Sequence, residues 1–415
     1  MEKLSNPLWE QYPNKYWDIN DYSRLVTPRQ NIHLPVYRWY SFKHSFSRNL
    51  VHNIIKGLKV SGDDLVLDPF CGAGTTILAC KELGINGIGL DLMPLSVFIT
   101  NTKIGSFDKD EVKYYLSHLP TPKESAQVPD YYEENLAKYF PKINLTEATY
   151  LNYYIEGISH QPTRDLFKLA LFSILEEISY SRKDGAFIRI IKDKRPKETF
   201  RAFKEKITMF LSDLDFLNSL PKVHSYASIG DARKTKLENG SISAVITSPP
   251  YPNRHDYTRI YFLELMFGFY RNSDEIKSLR YELLRSHVEA REKYKAFNYV
   301  KPEELATIIE KLKCADLPNR NVINLVESYF KDMHIFLREM MRVLTNEGTV
   351  SLVIGDSRYG GINVPAGEII IDIAKKIGFD LTRNIVARDK GNSPQQMGRY
   401  GKSLSKESVI TLKKS

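Results

Sequence analysis

One stretch near the N-terminus restricts the possible folds more than any other. A short apolar run, Leu65-Val66-Leu67, ends in Asp68-Pro69-Phe70-Cys71-Gly72-Ala73-Gly74-Thr75-Thr76; Ile77 to Gly84 then follows at helical spacing, and Gly87-Ile88-Gly89-Leu90 closes on Asp91. A brief continuous apolar run bounded by turn residues is the pattern of a strand buried on both faces of a parallel sheet. Gly84 sits where a helix would end in a left-handed residue. The order strand, glycine turn, helix, strand, acid is the opening half of a Rossmann-like α/β sheet.

The residues in that turn narrow its ligand. Gly72 and Gly74 carry no side chain to keep a ligand from the backbone. A dinucleotide fingerprint would place a third small residue where Ile77 stands, and a carboxylate at Asp68 would repel a diphosphate. The same carboxylate attracts a cation such as an ammonium or a sulfonium. Asp91, at the end of the second strand, is placed to accept both hydroxyls of a ribose. A ribose, a cationic amino acid portion and no phosphate together describe S-adenosyl-L-methionine. A lone Gly-x-Gly would mean no more than a tight turn; the full string with both acids points to cofactor binding.

A second constellation lies at the end of another apolar run. Ala244-Val245-Ile246 leads into Thr247-Ser248-Pro249-Pro250-Tyr251. Two prolines remove two amide donors and fix the backbone, which leaves carbonyl oxygens facing outward at the carboxyl edge of the sheet. Such a row of acceptors holds a donor, and the exocyclic amine of a nucleobase is one. Hydrogen bonds accepted by the Ser248 hydroxyl and the Pro249 carbonyl would bias that nitrogen towards tetrahedral geometry and free its lone pair. Tyr251 would offer a face on which an extruded base stacks. The alternative is a proline-terminated edge strand with a core tyrosine.

Elsewhere the pattern is that of a soluble chain with insertions. No apolar run approaches the ~18 residues of a membrane helix, and the first residues lack the basic-then-apolar pattern of a signal peptide. The three cysteines allow neither a disulfide framework nor a four-cysteine zinc site, and the histidines show no HxH or HExxH spacing, so no metal site is expected. These features suit the reducing cytoplasm. Ser45–Leu58 reads as a helix, Phe107 to Lys222 as mainly helical with little strand character, Asp274 to Leu317 as charged and helical, and Val322–Leu344 as an amphipathic helix stopped near Gly348. A strand at Val350–Ile354, a helix at Gly367–Ile377 and strands at Thr382–Ala387 and Ser408–Leu412 follow, with Arg388–Lys406 as an exposed basic loop. The net charge of +9 is segregated. Ser23–Lys59 carries seven Lys/Arg and no acid, and Tyr180–Lys206 and Arg383–Ser415 carry +6 each. Segregation of this kind suits a polyanion, because each phosphate neutralised releases a counterion.

The two constellations together resemble a known family. LDPFCGAGTT is similar to motif I of the S-adenosylmethionine-dependent methyltransferases that modify amino groups of DNA bases, and TSPPY is similar to their motif IV in its N4-cytosine form. IGDAR resembles motif III, PVYRWYSFKHSFSRNLV motif X, NRHDYTRIYFLEL motif V and EMMRVLTNEGTVSLVIGDS motif VI. The resemblance implies a Rossmann-like seven-stranded sheet with one antiparallel strand near an edge, interrupted by helical insertions, and base flipping from double-stranded DNA. Carried onto this chain, it implies Asp68, Phe70, Gly72, Gly74, Asp91 and Asp231 at the cofactor and Ser248, Pro249, Pro250 and Tyr251 at the base. The expected organisation is 1–104 as arm and first half of the catalytic domain, 105–224 as a helical insertion with a target-recognition role, 225–273 as the part bearing TSPPY, 274–320 as a second helical insertion, and 321–415 as the C-terminal part. A restriction system with a cognate endonuclease is the expected setting.

Several alternatives stand beside that reading. C5-cytosine chemistry requires a Pro-Cys nucleophile, and none of Cys71, Cys80 or Cys314 follows a proline. N6-adenine methylation uses the same amine logic, although related enzymes more often carry Asp or Asn where Ser248 stands. A structured RNA is another substrate for the same pocket, and an inactive nucleic-acid-binding module is a third reading. Arg388-Asp389-Lys390 and Arg399–Lys402 are expected to contact phosphate or to be solvated, and His255 and Asp256 to be solvated.

Overall fold

Among the described residues eleven strands appear in chain order: β1 Leu65–Asp68, β2 Asn86–Asp91, β3 Ser181–Lys183, β4 Ile188–Ile190, β5 Ser225–Ile229, β6 Ile242–Thr247, β7 Leu344–Gly355, β8 Ser357–Tyr359, β9 Ile362–Val364, β10 Phe379–Gly391 and β11 Leu404–Lys414. The computed structural model describes residues 21–120, 127–185, 187–391, 398, 401 and 404–415. Seven strands form one sheet in the order β10-β11-β7-β6-β1-β2-β5. β7, β6, β1, β2 and β5 run parallel, while β11 is antiparallel to both its neighbours, β7 and β10. The expected α/β sheet with one reversed strand next to an edge is therefore present.

Alternation along the strands explains why helices cover both faces. Leu67, Val245, Leu352, Ile354 and Ile410 pack with the helices Asn321–Val343 and Ala366–Ile377. Their neighbours Val66, Ala244, Ile246, Val353 and Val409 pack with the helices Arg48–Leu58 and Thr75–Glu82. Adjacent side chains in a strand point to opposite faces, so runs apolar at every position need two covers.

Between β2 and β5 the chain forms the helices Pro94–Ile104, Lys109–Ser117, Asp130–Leu136, Lys142–Glu156, Gln161–Ile174 and Thr199–Ser219. Their apolar faces merge with Ile77, Leu78 and Leu263 in one core. The basic arm preceding β1 is fastened to this layer. Trp39 stacks on Phe210 at 4.6 Å. The buried Asp213 carboxylate accepts from Val36 N at 3.0 Å, Trp39 Nε1 at 2.9 Å and Arg38 Nε at 3.0 Å.

Five local expectations are corrected. The mainly helical segment contains the hairpin β3–β4, whose Asp184-Gly185 turn is a hairpin signal embedded in charged residues. Within 274–317, the helices Ser273–Glu282 and Glu303–Cys314 are separated by irregular chain from 283 to 302. The helix before β7 ends at Val343, and Gly348 lies inside the strand rather than stopping the helix. The pairing of β6 with β7 jumps from Leu344 to Thr349, so Thr345 to Gly348 bulges out. β10 and β11 extend into the expected loop Arg388–Lys406; Arg399 and Lys402 lie outside the described residues. Of the expected irregular arm to Thr27, residues 1–20 also lie outside them, and Tyr22–Leu25 is a short helix capped by Asp21.

Candidate active site

The carboxyl ends of β1 and β2 frame a cleft of about 880 Å³, open solvent at its mouth included. That is within the ~300–1,000 Å³ usual for small-molecule sites. Its walls include Asp68, Phe70, Gly72, Asp91, Asp231 and Ser248. The glycine turn has the backbone its composition demands, with Gly72 at φ +50° and Gly74 at φ +74°. A Cβ on Gly74 would sit 2.8 Å from Thr100 Oγ1, so the turn closes directly on the helix Pro94–Ile104.

Asp68 is 2% exposed and accepts from the Thr247 hydroxyl at 2.6 Å and Phe70 N at 3.2 Å. Asp91 is half-buried and accepts from Gly72 N at 3.1 Å and Met93 N at 2.9 Å. Neither carboxylate has a Lys or Arg partner among the described residues. Burial pushes each up to about 6. Two desolvated acids with only neutral donors around them make a place for a cation, since a positive ligand removes the cost of ionising them.

Asp231 lies on the same wall but is differently committed. Arg233 reaches it with Nε and Nη2, both at 2.9 Å, and Lys293 Nζ stands 3.4 Å away. Burial opposes ionisation there, yet the hydrogen bonds and charge of Arg233 hold the carboxyl below the ordinary range. Arg233 continues to the fully buried Asp332 at 2.8 Å, which also receives Arg285 N and Nε at 3.0 Å. This buried chain of acid and guanidinium ties β5's loop to the helix Asn321–Val343 and to the irregular segment after Glu282. No motif pointed to Arg285 or Asp332, although the Asp231-x-Arg233 spacing marks one end of the network.

Ser248 belongs to two cavities. Beyond it opens a second one of about 1,670 Å³, solvent included, whose walls hold Pro249, Tyr251, His255, Tyr257, Arg388 and Glu407. Pro249 and Pro250 bring no amide proton, and the pairing of β6 with β7 stops at Thr247 opposite Leu352. The carbonyls beyond are free of the ladder. The Ser248 hydroxyl lies 3.4 Å from the Tyr251 hydroxyl, which donates to Glu407 at 3.0 Å. Burial and then the Glu407 charge hold the Tyr251 phenol well above its ordinary value. Arg388 pairs with the other Glu407 oxygen at 2.5 Å, so this expected phosphate contact is engaged inside the cavity wall. His255 is likewise not in a solvated loop: its ring packs on His44 at 5.0 Å, and His44 on Tyr257 at 5.1 Å. Asp256 is buried and pairs with Arg280 at 2.7 Å. Sequence reasoning missed Glu407, whose place beside Tyr251 is set only by the sheet.

Residues 3–101 match a family described as DNA methylase. The type II methyltransferase M.BsoBI of Geobacillus stearothermophilus is 30% identical over 94% of this chain and 88% of its own length. The chain belongs to the type II methyltransferases. M.AvaI of Nostoc sp., another type II methyltransferase, is 29% identical over 94% of this chain and 89% of its own length. Solved structures align more distantly; that of geranyl diphosphate methyltransferase in complex with its cofactor has a TM-score of 0.35 at 9% identity, over 95% of this chain and 98% of the other.

The methyltransferase acts on DNA with S-adenosylmethionine as methyl donor, and the paired uncompensated acids of the smaller cleft fit that cationic ligand. Among the described residues no His, Cys, Asp or Glu cluster could hold a metal, and no helix is long and apolar enough to cross a membrane.

Proposed function

We propose that the protein methylates the exocyclic N4 amine of a cytosine swung out of double-stranded DNA, in the cytoplasm and as the modification half of a restriction system with a cognate endonuclease. The observation that carries this reading is Ser248, which lines both the acidic cleft and the larger cavity. Asp68 and Phe70 receive the amino acid end of the cofactor, Gly72 and Gly74 give it room against the backbone, Asp91 accepts from its ribose, and Asp231 borders its adenine end through lone pairs that Arg233 does not use. When bound, S-adenosylmethionine supplies an electrophilic methyl on a sulfonium.

The chain's own residues prepare the amine. The Ser248 hydroxyl and the Pro249 carbonyl accept its two protons, which draws the nitrogen lone pair out of conjugation with the ring. Pro250 fixes the backbone that aims both acceptors, and Tyr251 supplies a flat wall to the base. The Glu407–Tyr251 hydrogen bond holds that wall in place. Ser248, rather than an acid or amide, favours cytosine; N6-adenine is the second reading. The exposed basic residues from Arg182 to Lys206 favour 105–224 as the region that meets the DNA, with 274–320 second.

Incubating DNA with the protein and methyl-labelled cofactor, followed by mass spectrometry of the nucleosides, tests the proposal. N4-methylcytosine is the expected product. N6-methyladenine would transfer the same geometry to adenine, and label in neither would refute it.

A further inference from the structure

The hairpin β3–β4 is held rigidly at its base. The Lys183 ammonium is buried in an ion pair with Glu264, lies 3.1 Å from the Tyr40 hydroxyl, and sits 5.0 Å above the rings of both Tyr40 and Tyr261. Lys43 donates to the Lys183 carbonyl, and Lys194 to that of Ser181 at 2.6 Å. Such a network fixes the direction in which the hairpin points. Its tip is closed by the Asp184 amide donating to the Phe187 carbonyl at 2.9 Å. A Cβ added to Gly185 would lie 3.4 Å from His255 Nε2, on the wall of the larger cavity. The tip therefore stands at the edge of the chamber assigned to the base.

The side chains displayed there are unusual for a solvated turn. Phe187 is 47% exposed. Arg182 and Arg189 face each other across the two strands and are both exposed, Arg189 being paired with Asp184 of the turn, and Lys192 and Arg195 follow in exposed positions. An exposed aromatic ring at the turn next to an exposed guanidinium, on a stiff two-stranded ribbon, matches a duplex with one base removed from its stack. The gap so created is one ring thick and apolar, and its edges are phosphates.

Resting on the base-extrusion reading above, we infer that Phe187 is a wedge that enters the DNA at the target site and fills the space the extruded base leaves, with Arg182 gripping a flanking phosphate. The ring replaces stacking that the duplex loses, which lowers the free energy of the extruded state and leaves the chemistry at Ser248 untouched.

The test uses the full-length protein and the sequence it methylates, mapped on genomic DNA. Two duplexes carry that sequence: one fully paired, the other with an abasic site opposite the target, where extrusion breaks no base pair. Phe187→Ala is expected to lower kcat/KM on the paired duplex by about 5- to 150-fold, the range for loss of one aromatic–base stack. On the abasic duplex it should stay within about threefold of wild type, and Phe187→Trp should retain activity on both. Equal losses on the two duplexes, or no loss on the paired one, would overturn the wedge. A wild-type protein that leaves no methylated base anywhere in the genomic DNA would remove the base-methylation reading and the wedge with it. Thermal unfolding of the variants, expected to match wild type at so exposed a position, separates these outcomes from misfolding.

Discussion

Acid should dissociate the cofactor. Asp68 and Asp91 are both raised to about 6 because burial is met only by neutral donors. A bound cation favours the charged carboxylates, so in the complex their values fall well below that. Protonation of the free protein then competes with binding. The sign follows directly: affinity is fully present above about pH 7 and is lost as pH falls through about 6. Each coupled carboxylate weakens binding by about tenfold between pH 7 and pH 5, near 1.4 kcal/mol, and the two together by up to about a hundredfold. Folding of the free protein runs the opposite way, because a carboxylate raised in the folded state contributes stability below its unfolded value and loses it as pH rises through the folded one. For Asp68, raised from 3.8 to about 6, that contribution is roughly 3 kcal/mol. Isothermal titration calorimetry of S-adenosylmethionine from about pH 5 to pH 8, at constant ionic strength, measures the binding slope. Asp68→Asn should bind more weakly at pH 7 and show a flatter profile. An affinity constant over this range, or one that tightened in acid, would refute the placement of the cofactor against these two acids in their ionised form.

Other consequences can be checked separately. Ser248→Ala should lower kcat by roughly 5- to 100-fold with little change in DNA affinity, since one preorganised acceptor is lost; single-turnover methylation and a binding titration distinguish the two. Asp332→Ala should destabilise the fold by about 3–5 kcal/mol in urea titrations, because the buried Arg285 would lose its close carboxylate and Arg233 one of its two. Gly74→Ala should cost at least about 1–2 kcal/mol, from its positive φ and the contact with Thr100, and weaken cofactor binding. Replacing Arg182, Lys192 or Arg195 by Ala should each flatten the log–log salt dependence of DNA binding by about one unit, whereas the ion-paired Lys197 should contribute less.

What the sequence disclosed was whatever the chain encodes locally. Asp68, the glycines and Asp91 are separated by one helix, and their spacing alone determines that they share a strand edge. Ser248 to Tyr251 is contiguous. The supporting residues come from far along the chain: Arg233 to Asp332 spans 99 positions, and Tyr251 to Glu407 spans 156. No local pattern anticipates such partners, because Asp332 and Glu407 each sit among other polar residues of an amphipathic helix or a strand, with nothing local to mark them out. The hairpin β3–β4 was hidden for another reason. Its strands have three residues each, with charged side chains that obscure alternation, and only the Asp184-Gly185 pair marks the turn. Gly348 misled because a glycine after an amphipathic helix usually ends it, whereas here it serves a bulge.

Strands β1 and β6 are immediate neighbours, paired at Leu67 with Val245 and joined again by the Thr247 hydroxyl on Asp68. The two turns to which the proposed function assigns methyl donor and methyl acceptor therefore start a single rung apart, about 4.8 Å. A rung of the sheet is rigid and needs no hinge to bring its ends within reacting distance. On that proposal, the travel needed for the reaction falls on the nucleic acid, whose nucleotide leaves the helix to meet a donor already at its station.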